Sequence, residues 1–474
     1  MAELHSGTEG FGPRVQAALR NPQVRANLRQ AMDGLVGKRA IAFSDWELDA
    51  LRVLGASVRL RALTKLPELL EQLEERLHSN GVHVHWAQTG EQACDIVRSI
   101  CQQRQARSVI KGKSMVTEEI GLNAFLEGEG LEVLESDLGE YIIQLAQETP
   151  SHIIMPAIHK NTAQISELMH VKTGTQRSED VDYLTSSARE QLREKFMQAD
   201  VGITGVNFAV AETGTLCLVE NEGNGRMTSS VPKCHIAVTG IEKVVESLED
   251  IAPLLALLTR SATGQSISTY VNLISSPRKV AEKDGPEEVH LVLVDAGRSD
   301  IYQDPELRDT LRGIRCGACM NHCPVYTRIG GHAYGTTYPG PIGKILMPQL
   351  QGLEQAAELS TACTLCGACE EVCPVKIPIP QIIQRIRTEA MAGESERIPI
   401  IQGYGSKRRW REIILWRGWS YACRSPKLYR SGTKLLSRCR ALLPKKVGPW
   451  TQCREAPKVA PKSLHQLMKE REAG

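Results

Sequence analysis

The sequence predicts an α/β domain with a largely parallel sheet, then a mostly helical cysteine-rich module, then a basic, mostly helical C-terminal segment. Three observations carry this. Strand-like and helix-like segments alternate between residues 81 and 294, as in a parallel sheet with crossover helices. Seven of the 14 cysteines fall in two runs between residues 316 and 373. Residues 401–474 hold 18 Lys or Arg against 4 Asp or Glu, and the first 400 hold 39 against 51. The near-neutral total of +2 thus conceals a basic tail behind an acidic body. A chain of 474 residues has length for about three domains. The expected divisions are an N-terminal helical segment (1–64), the α/β domain (65–298), the cysteine module (299–395) and the basic segment (396–474).

Leucines at helical spacing, among them Leu66, Leu69, Leu70 and Leu73, predict amphipathic helices over 14–35 and 66–78. Strands are expected at 81–86, 108–110, 131–134 and 153–155, with helices at 89–104 and 115–127. Two apolar runs within 208–219 are broken at Glu212-Thr213-Gly214, and a Gly223-Asn224-Gly225 turn follows. A strand at 235–239, a helix at about 242–259 and strands near 268–274 and 288–294 complete the domain. Asp304-Pro305 reads as an N-cap and first helical residue, leading through Leu307, Leu311 and Ile314 to the first cysteine run. Between the runs lie a Gly/Pro loop over 330–343 and a helix near 344–358; Ile379, Ile382, Ile383 and Ile386 mark another helix after the second run.

The basic segment interleaves Trp410, Trp416, Trp419 and Trp450 with its cations. The apolar spacing of Ile413, Ile414 and Trp416 reads as a packed face meeting an acidic partner or the acidic body, not as a nucleic-acid surface. No run approaches the roughly 20 apolar residues that span a bilayer. The N-terminal Met-Ala-Glu-Leu-His-Ser-Gly lacks a secretory pattern, so a cytoplasmic location is expected. In that reducing compartment, clustered cysteines read as metal or redox sites.

The first run is Cys316-Gly-Ala-Cys319-Met-Asn-His-Cys323-Pro324. The second, Cys363-Thr-Leu-Cys366-Gly-Ala-Cys369-Glu-Glu-Val-Cys373-Pro374, is a complete C-x2-C-x2-C-x3-C-P, the spacing that holds iron–sulfur clusters through thiolates. In two-cluster proteins of this pattern the fourth cysteine of each run serves the other cluster. One cluster is therefore expected on Cys363, Cys366, Cys369 and Cys323, and the other on Cys316, Cys319 and Cys373. The fourth ligand of the latter should stand at residue 313, which is glycine. Three readings of that gap remain open: a 3Fe–4S cluster, a 4Fe–4S cluster completed by Asp309, His322 or a substrate group, or a reshuffled set in which Cys363 serves elsewhere. Zinc fits poorly, because it takes separate tetrahedral sets of four. Cys94, Cys101, Cys217, Cys234, Cys423, Cys439 and Cys453 are scattered and read as small buried residues.

Weaker signals lie in the α/β region. Lys111-Gly112-Lys113-Ser114 could meet an anion, and the loops at Ala211–Thr215 and Glu222–Arg226 could form a ligand-binding pair with Arg226 as the cation. Tight turns with solvated charges are the favoured explanation of each. His152 and His159 read as structural. No G-x-G-x-x-G turn sits at a strand–helix junction, which argues against a tightly held dinucleotide.

The segment Gly202-Ile-Thr-Gly-Val-Asn-Phe-Ala-Val-Ala-Glu-Thr-Gly-Thr215 with Ser230-Val-Pro-Lys-Cys-His-Ile-Ala-Val238 resembles the lactate-utilisation (LUD) domain. Followed by Arg315-Cys-Gly-Ala-Cys-Met-Asn-His-Cys-Pro-Val-Tyr326, Gly330-Gly-His-Ala-Tyr-Gly335 and Gly448-Pro-Trp-Thr451, the chain resembles the lactate utilisation protein B family along essentially its whole length. The resemblance implies a sugar-phosphate isomerase/CoA-transferase-like LUD domain and a ferredoxin-like module with two clusters, 4Fe–4S in type. It also implies two cytoplasmic partner proteins of a lactate-utilisation system and electron transfer during oxidation of L-lactate to pyruvate. Two departures from the family pattern stand out: cysteine is usual where Gly313 stands, and serine or a similar residue where Cys363 stands. The alternative function, motivated by Gly313, is a self-contained iron–sulfur enzyme whose open iron site acts on a small hydroxy acid.

Overall fold

The computed structural model describes residues 10–392, 410–444, 446, 451, 455 and 458–472. Among the described residues, apolar, β-branched segments build ten strands in two sheets. The larger is parallel throughout, in the order β1 (His83–Ala87), β10 (Glu288–Val294), β7 (Cys234–Gly240), β4 (Val201–Gly205), β2 (Ser108–Lys111) and β3 (Glu132–Glu135). Strands β4 and β7 are buried along their whole length, as strands covered on both faces must be. Gly202 in β4 is required by packing, since a Cβ there would collide with the carbonyl oxygen of Thr228. The smaller sheet runs β8 (Val244–Val245), β5 (Phe208–Val210), β6 (Thr215–Glu220) and β9 (Tyr270–Ile274), with β5 and β6 forming the hairpin about Glu212-Thr213-Gly214.

Helices Pro22–Ala42, Leu48–Thr64 and Leu66–Ser79 share one continuous apolar core with the smaller sheet and with the cysteine module. Leu73, Leu254, Leu311, Met320 and Ile383 all belong to that core. The cysteine module is therefore seated on the α/β domain. The basic C-terminal segment forms a second compact unit. Its helices Trp410–Arg424 and Pro426–Arg438 leave Trp410, Trp416, Trp419 and Tyr421 exposed; Trp450 lies outside the described residues. Among the described residues no helix is long and apolar enough to cross a membrane.

The structure departs from the expected elements at several points. Residues 153–155 form no strand, because the Nδ1 of buried His152 accepts the amides of Ile154 and Met155 that a ladder would need. The expected helix at 242–259 begins only at Ile251; Ile241–Lys243 is a 3-10 turn and Val244–Val245 pairs with β5. Gly121 (φ 68°) and Gly352 (φ 85°) each split an expected helix in two. Pro22, capped by the Asn21 side chain, likewise divides 14–35 into Phe11–Arg20 and Pro22–Ala42. Helices Leu138–Ala146, Thr162–Thr173 and Val181–Gln198 and strand β4 are additions to the expected elements.

Candidate functional site

The two cysteine runs fold alike. Arg315 and Leu365, each directly before a cysteine, adopt left-handed φ values of 60° and 55°. Gly317 and Gly367 repeat this at 73° and 81°, and each opens a one-turn helix, Ala318–Asn321 and Ala368–Glu371. Non-glycine residues at positive φ are strained, and such strain persists only where the surroundings enforce it. These paired turns place Cys316, Cys319 and Cys323 in correspondence with Cys366, Cys369 and Cys373. By the same correspondence Gly313 matches Cys363.

The thiols sort into two groups. Cys323, Cys363, Cys366 and Cys369 line one hollow with Lys344, Pro324, Pro341 and Pro380, so one thiol of the first run joins three of the second. Cys366 is exposed, and this hollow opens to solvent. Cys316, Cys319 and Cys373 form the inner group, where burial raises the Cys319 thiol and the neighbouring Cys316, Cys369 and Cys373 reinforce it. Burial pushes Cys316 and Cys369 up to about 12. Bare thiolates are disfavoured here, whereas bound iron would deprotonate them.

The surroundings supply what clustered sulfur needs. Amides of Tyr326, Leu365 and Ile377 donate to the sulfurs of Cys323 (3.5 Å), Cys363 (3.3 Å) and Cys373 (3.3 Å). The fully buried Lys344 places its Nζ 3.6 Å from Cys323 Sγ. N-terminal helices clamp the second run: Arg39 donates to the Val372 carbonyl (3.2 Å), and Arg52 to those of Cys373 (2.9 Å) and Glu370 (3.0 Å). Convergent thiols, amide donors and nearby cations are chemically matched to anionic iron–sulfur clusters.

At the fourth position of the inner group, a Cβ on Gly313 would lie 2.7 Å from Nη1 of Arg315, 3.4 Å from the Thr310 oxygen and 3.6 Å from Ile342 Cδ1. Arg315 thus crowds the space a cysteine would take. Asp309 pairs with Arg312 (2.9 Å), and His322 Nδ1 bonds the Ala318 carbonyl (2.9 Å). Cys363 stands with Cys323, Cys366 and Cys369 rather than apart from them.

Beside the inner group lies a cavity of about 300 Å3 at the C-terminal ends of β2, β4 and β7. That is where open parallel sheets bind ligands. Gly112, Lys113 and Ser114 follow β2, Thr204 and Gly205 end β4 with Asn207 just beyond it, and Lys243 follows β7. Ile314, Arg315 and Tyr338 close the cavity from the cysteine module. Two of the weaker sequence signals therefore converge here, Lys113–Ser114 and the Glu222–Gly225 loop. Three others do not. Lys111 is buried against Glu135 (2.7 Å), Arg226 stacks on Tyr270, and Ala211–Thr215 turns toward Asn80.

Around the cavity Glu242 gathers cations. Its carboxylate binds Arg298 (2.7 Å) and Arg315 (3.3 Å), which together with Lys243 hold its pKa at about 2 against the upward push of burial. Arg59, fully buried, ties the Val244 carbonyl (2.8 Å) to that of Leu311 (3.2 Å) and so fixes the approach to the first run. His152 links the domains by bonding Asn321 (3.0 Å), and burial lowers it to about 4; the structural reading of this residue matches its place. Lys243, Arg315, Lys344 and Arg59 carried no sequence signal beyond the adjacency of Arg315 to Cys316.

Of the scattered cysteines, Cys94, Cys101, Cys217 and Cys234 are buried as expected. Cys423 is exposed and Cys439 half-buried, because their helices present little apolar cover; Cys453 lies outside the described residues. Cys234 comes within reach of Glu288 and His290, but Arg104 occupies that carboxylate at 2.6 Å.

The LUD domain family matches residues 70–294, the 4Fe-4S dicluster domain 311–377, and the "Lactate utilisation protein B, C-terminal" family 385–473. Lactate utilization protein B of Shouchella clausii is 41% identical, covering 98% of this chain and 97% of its own, and that of Bacillus thuringiensis is 42% identical, covering 98% of each. An Escherichia coli protein described as the uncharacterized electron transport protein YkgF is 40% identical over 99% of this chain and 98% of its own. A solved structure, a DUF162 family protein from Deinococcus radiodurans, overlaps 48% of this chain and 98% of its own at 18% identity with a TM-score of 0.28, too remote to bear on the site. Full-length identity near two-fifths, together with the three matched families, makes the chain a member of the lactate utilization protein B family and an iron–sulfur protein of lactate utilization.

Proposed function

We propose that the chain is the iron–sulfur electron-transfer subunit in oxidation of L-lactate to pyruvate, passing electrons through two clusters to a partner or acceptor. The observation that carries this is the sorting of seven thiols into an inner group beside a cavity and an outer group open at Cys366. In this reading Cys363, Cys366, Cys369 and Cys323 hold the outer cluster, and Cys316, Cys319 and Cys373 the inner one. Such clusters, when bound, take up and release electrons singly. The protein's part is to fix the thiols with paired left-handed turns, to donate amide hydrogen bonds to sulfur, and to set positive charge beside the outer group through Lys344. The inner set lacks a protein thiolate at Gly313, which fits either a 3Fe–4S cluster or a 4Fe–4S cluster with an exogenous ligand.

The chain would work in the cytoplasm with two other lactate-utilization proteins, its exposed tryptophans and basic C-terminal helices meeting an acidic surface. Anaerobically prepared protein should contain iron and sulfide and give a reducible electron-spin signal; absence of any reducible signal would end the proposal. Gly313→Cys distinguishes the inner-cluster forms. Gain of one iron per chain indicates a three-iron native cluster, and an unchanged count with a changed spectrum indicates a displaced substitute ligand. The alternative reading, a self-contained enzyme acting on a small hydroxy acid, is favoured by one observation, the cavity against Arg315.

A further inference from the structure

Electron transfer alone leaves that cavity without a role, yet it is the place where the α/β domain and the first cysteine run meet. Its cationic side has unfilled donors. The Arg315 side chain is only 8% exposed, its Nη1 has no hydrogen-bond partner, and its Nη2 reaches Glu242 at 3.3 Å. The other oxygen of Glu242 is already taken by Arg298 at 2.7 Å. Lys243, also buried, has its Nζ only within 3.5 Å of the Gly313 carbonyl. Four buried cations, Arg59, Arg298, Arg315 and Lys243, thus surround Glu242, and Glu119 balances Arg298 alone. A buried guanidinium donor left unpaired costs free energy, so a partner is expected from outside the chain.

The acidic groups lining the same cavity are already engaged. Glu220 caps the amides of Gly225 and Arg226 at 2.7 Å each, and Glu222 accepts the Leu138 amide at 3.2 Å, beside Asp137. The remaining lining mixes hydroxyl and amide groups (Ser114, Thr204, Asn207) with apolar wall (Leu258, Ala262), which suits a small polar organic molecule more than a bare ion.

We propose that this cavity binds a small organic carboxylate of the 2-hydroxy or 2-oxo acid class, with its carboxylate on Arg315 and its neighbouring oxygen toward Lys243. The choice of that class rests on the lactate-oxidation reading; the anionic site itself rests on the geometry. The ligand then lies next to the position that Gly313 leaves without a thiol. The LUD domain serves as the wall of a substrate or product pocket, and the cysteine module contributes its cation.

The test is calorimetric titration of the anaerobically prepared full chain with L-lactate, pyruvate and inorganic phosphate. L-lactate or pyruvate should bind, and Arg315→Ala should weaken that binding by about tenfold to a hundredfold. Arg315→Lys should fall between, since it keeps charge but loses the planar fork. Ala262→Phe, which fills the cavity from its apolar wall without touching either cation, should abolish binding while iron content and the reduced spectrum stay unchanged. No binding of either acid at millimolar concentration overturns the proposal, as does undiminished binding to Ala262→Phe or a preference for phosphate. Loss of the cluster signal from the unsubstituted chain would instead overturn the electron-transfer reading, so the two failures are distinct.

Discussion

Lys344 and Lys243 are both buried cations near the cysteine runs, and they act in different ways. The ammonium of Lys344 lies 3.6 Å from Cys323 Sγ, where positive charge favours the reduced form of whatever the sulfur ligates. On the proposed two-cluster reading, Lys344→Gln should therefore lower the potential of the outer cluster and leave the inner one less affected, read by redox titration of the electron-spin signals. Lys243 is lowered to about 7 by burial and then by Arg315, with Arg59 and Arg298 adding to the effect and Glu242 opposing it. Between about 7 and the ordinary 10.5 the folded state binds fewer protons than the unfolded, so this group's contribution to stability improves as pH rises. Lys243→Met should accordingly raise thermal stability in ligand-free protein. The gain should be largest below pH about 7 and shrink toward pH 10.5, by about 1.4 kcal/mol for each step of one in pH. A gain independent of pH would point to packing instead of charge.

The N-terminal helices hold the second cysteine run by its carbonyls, through Arg39 in Pro22–Ala42 and Arg52 in Leu48–Thr64. Arg52→Ala removes two charge-assisted bonds, for an expected loss of about 1.5–3 kcal/mol in chemical denaturation and faster release of iron to a chelator. In the larger sheet, Gly202→Ala drives a methyl into the Thr228 carbonyl and should destabilise by about 3 kcal/mol or more, or leave the chain insoluble. These elements also show what could be read from the sequence. Alternation of apolar segments revealed β1, β2, β3, β7 and β10, and cysteine spacing put Cys323 with Cys363, Cys366 and Cys369, the four thiols that line one hollow. Helix Leu48–Thr64 lies in the segment expected to be helical, but its bounds escaped because Arg59 occupies a core position, which breaks the apolar stripe that announces a helix. The loop at 153–155 mimicked a strand because its burial comes from His152 capping rather than from pairing. Arg315 and Lys243 stayed hidden because their meaning depends on Glu242, tens of residues from the first run and adjacent to it only after folding.

Within the larger of the two units, the α/β domain, the cavity, the inner thiols and the outer thiols follow one another in one packed body, because the cysteine module shares its core with the helices beneath it. That common core ties iron retention to the folding of this unit, so cluster absorbance should be lost in the same thermal transition as the helical signal of the unit itself. Separate transitions would show the module to be independent. The two thiol groups nevertheless meet the environment unequally, for Cys366 is exposed while Cys316 and Cys373 are buried and Cys319 is half-buried. Dissolved oxygen should reach a centre held by Cys366 first. If two clusters are held as proposed, the protein in air should pass through a form that has lost the outer centre and kept the inner one, so the opening at Cys366 also sets its lifetime outside an anaerobic vessel.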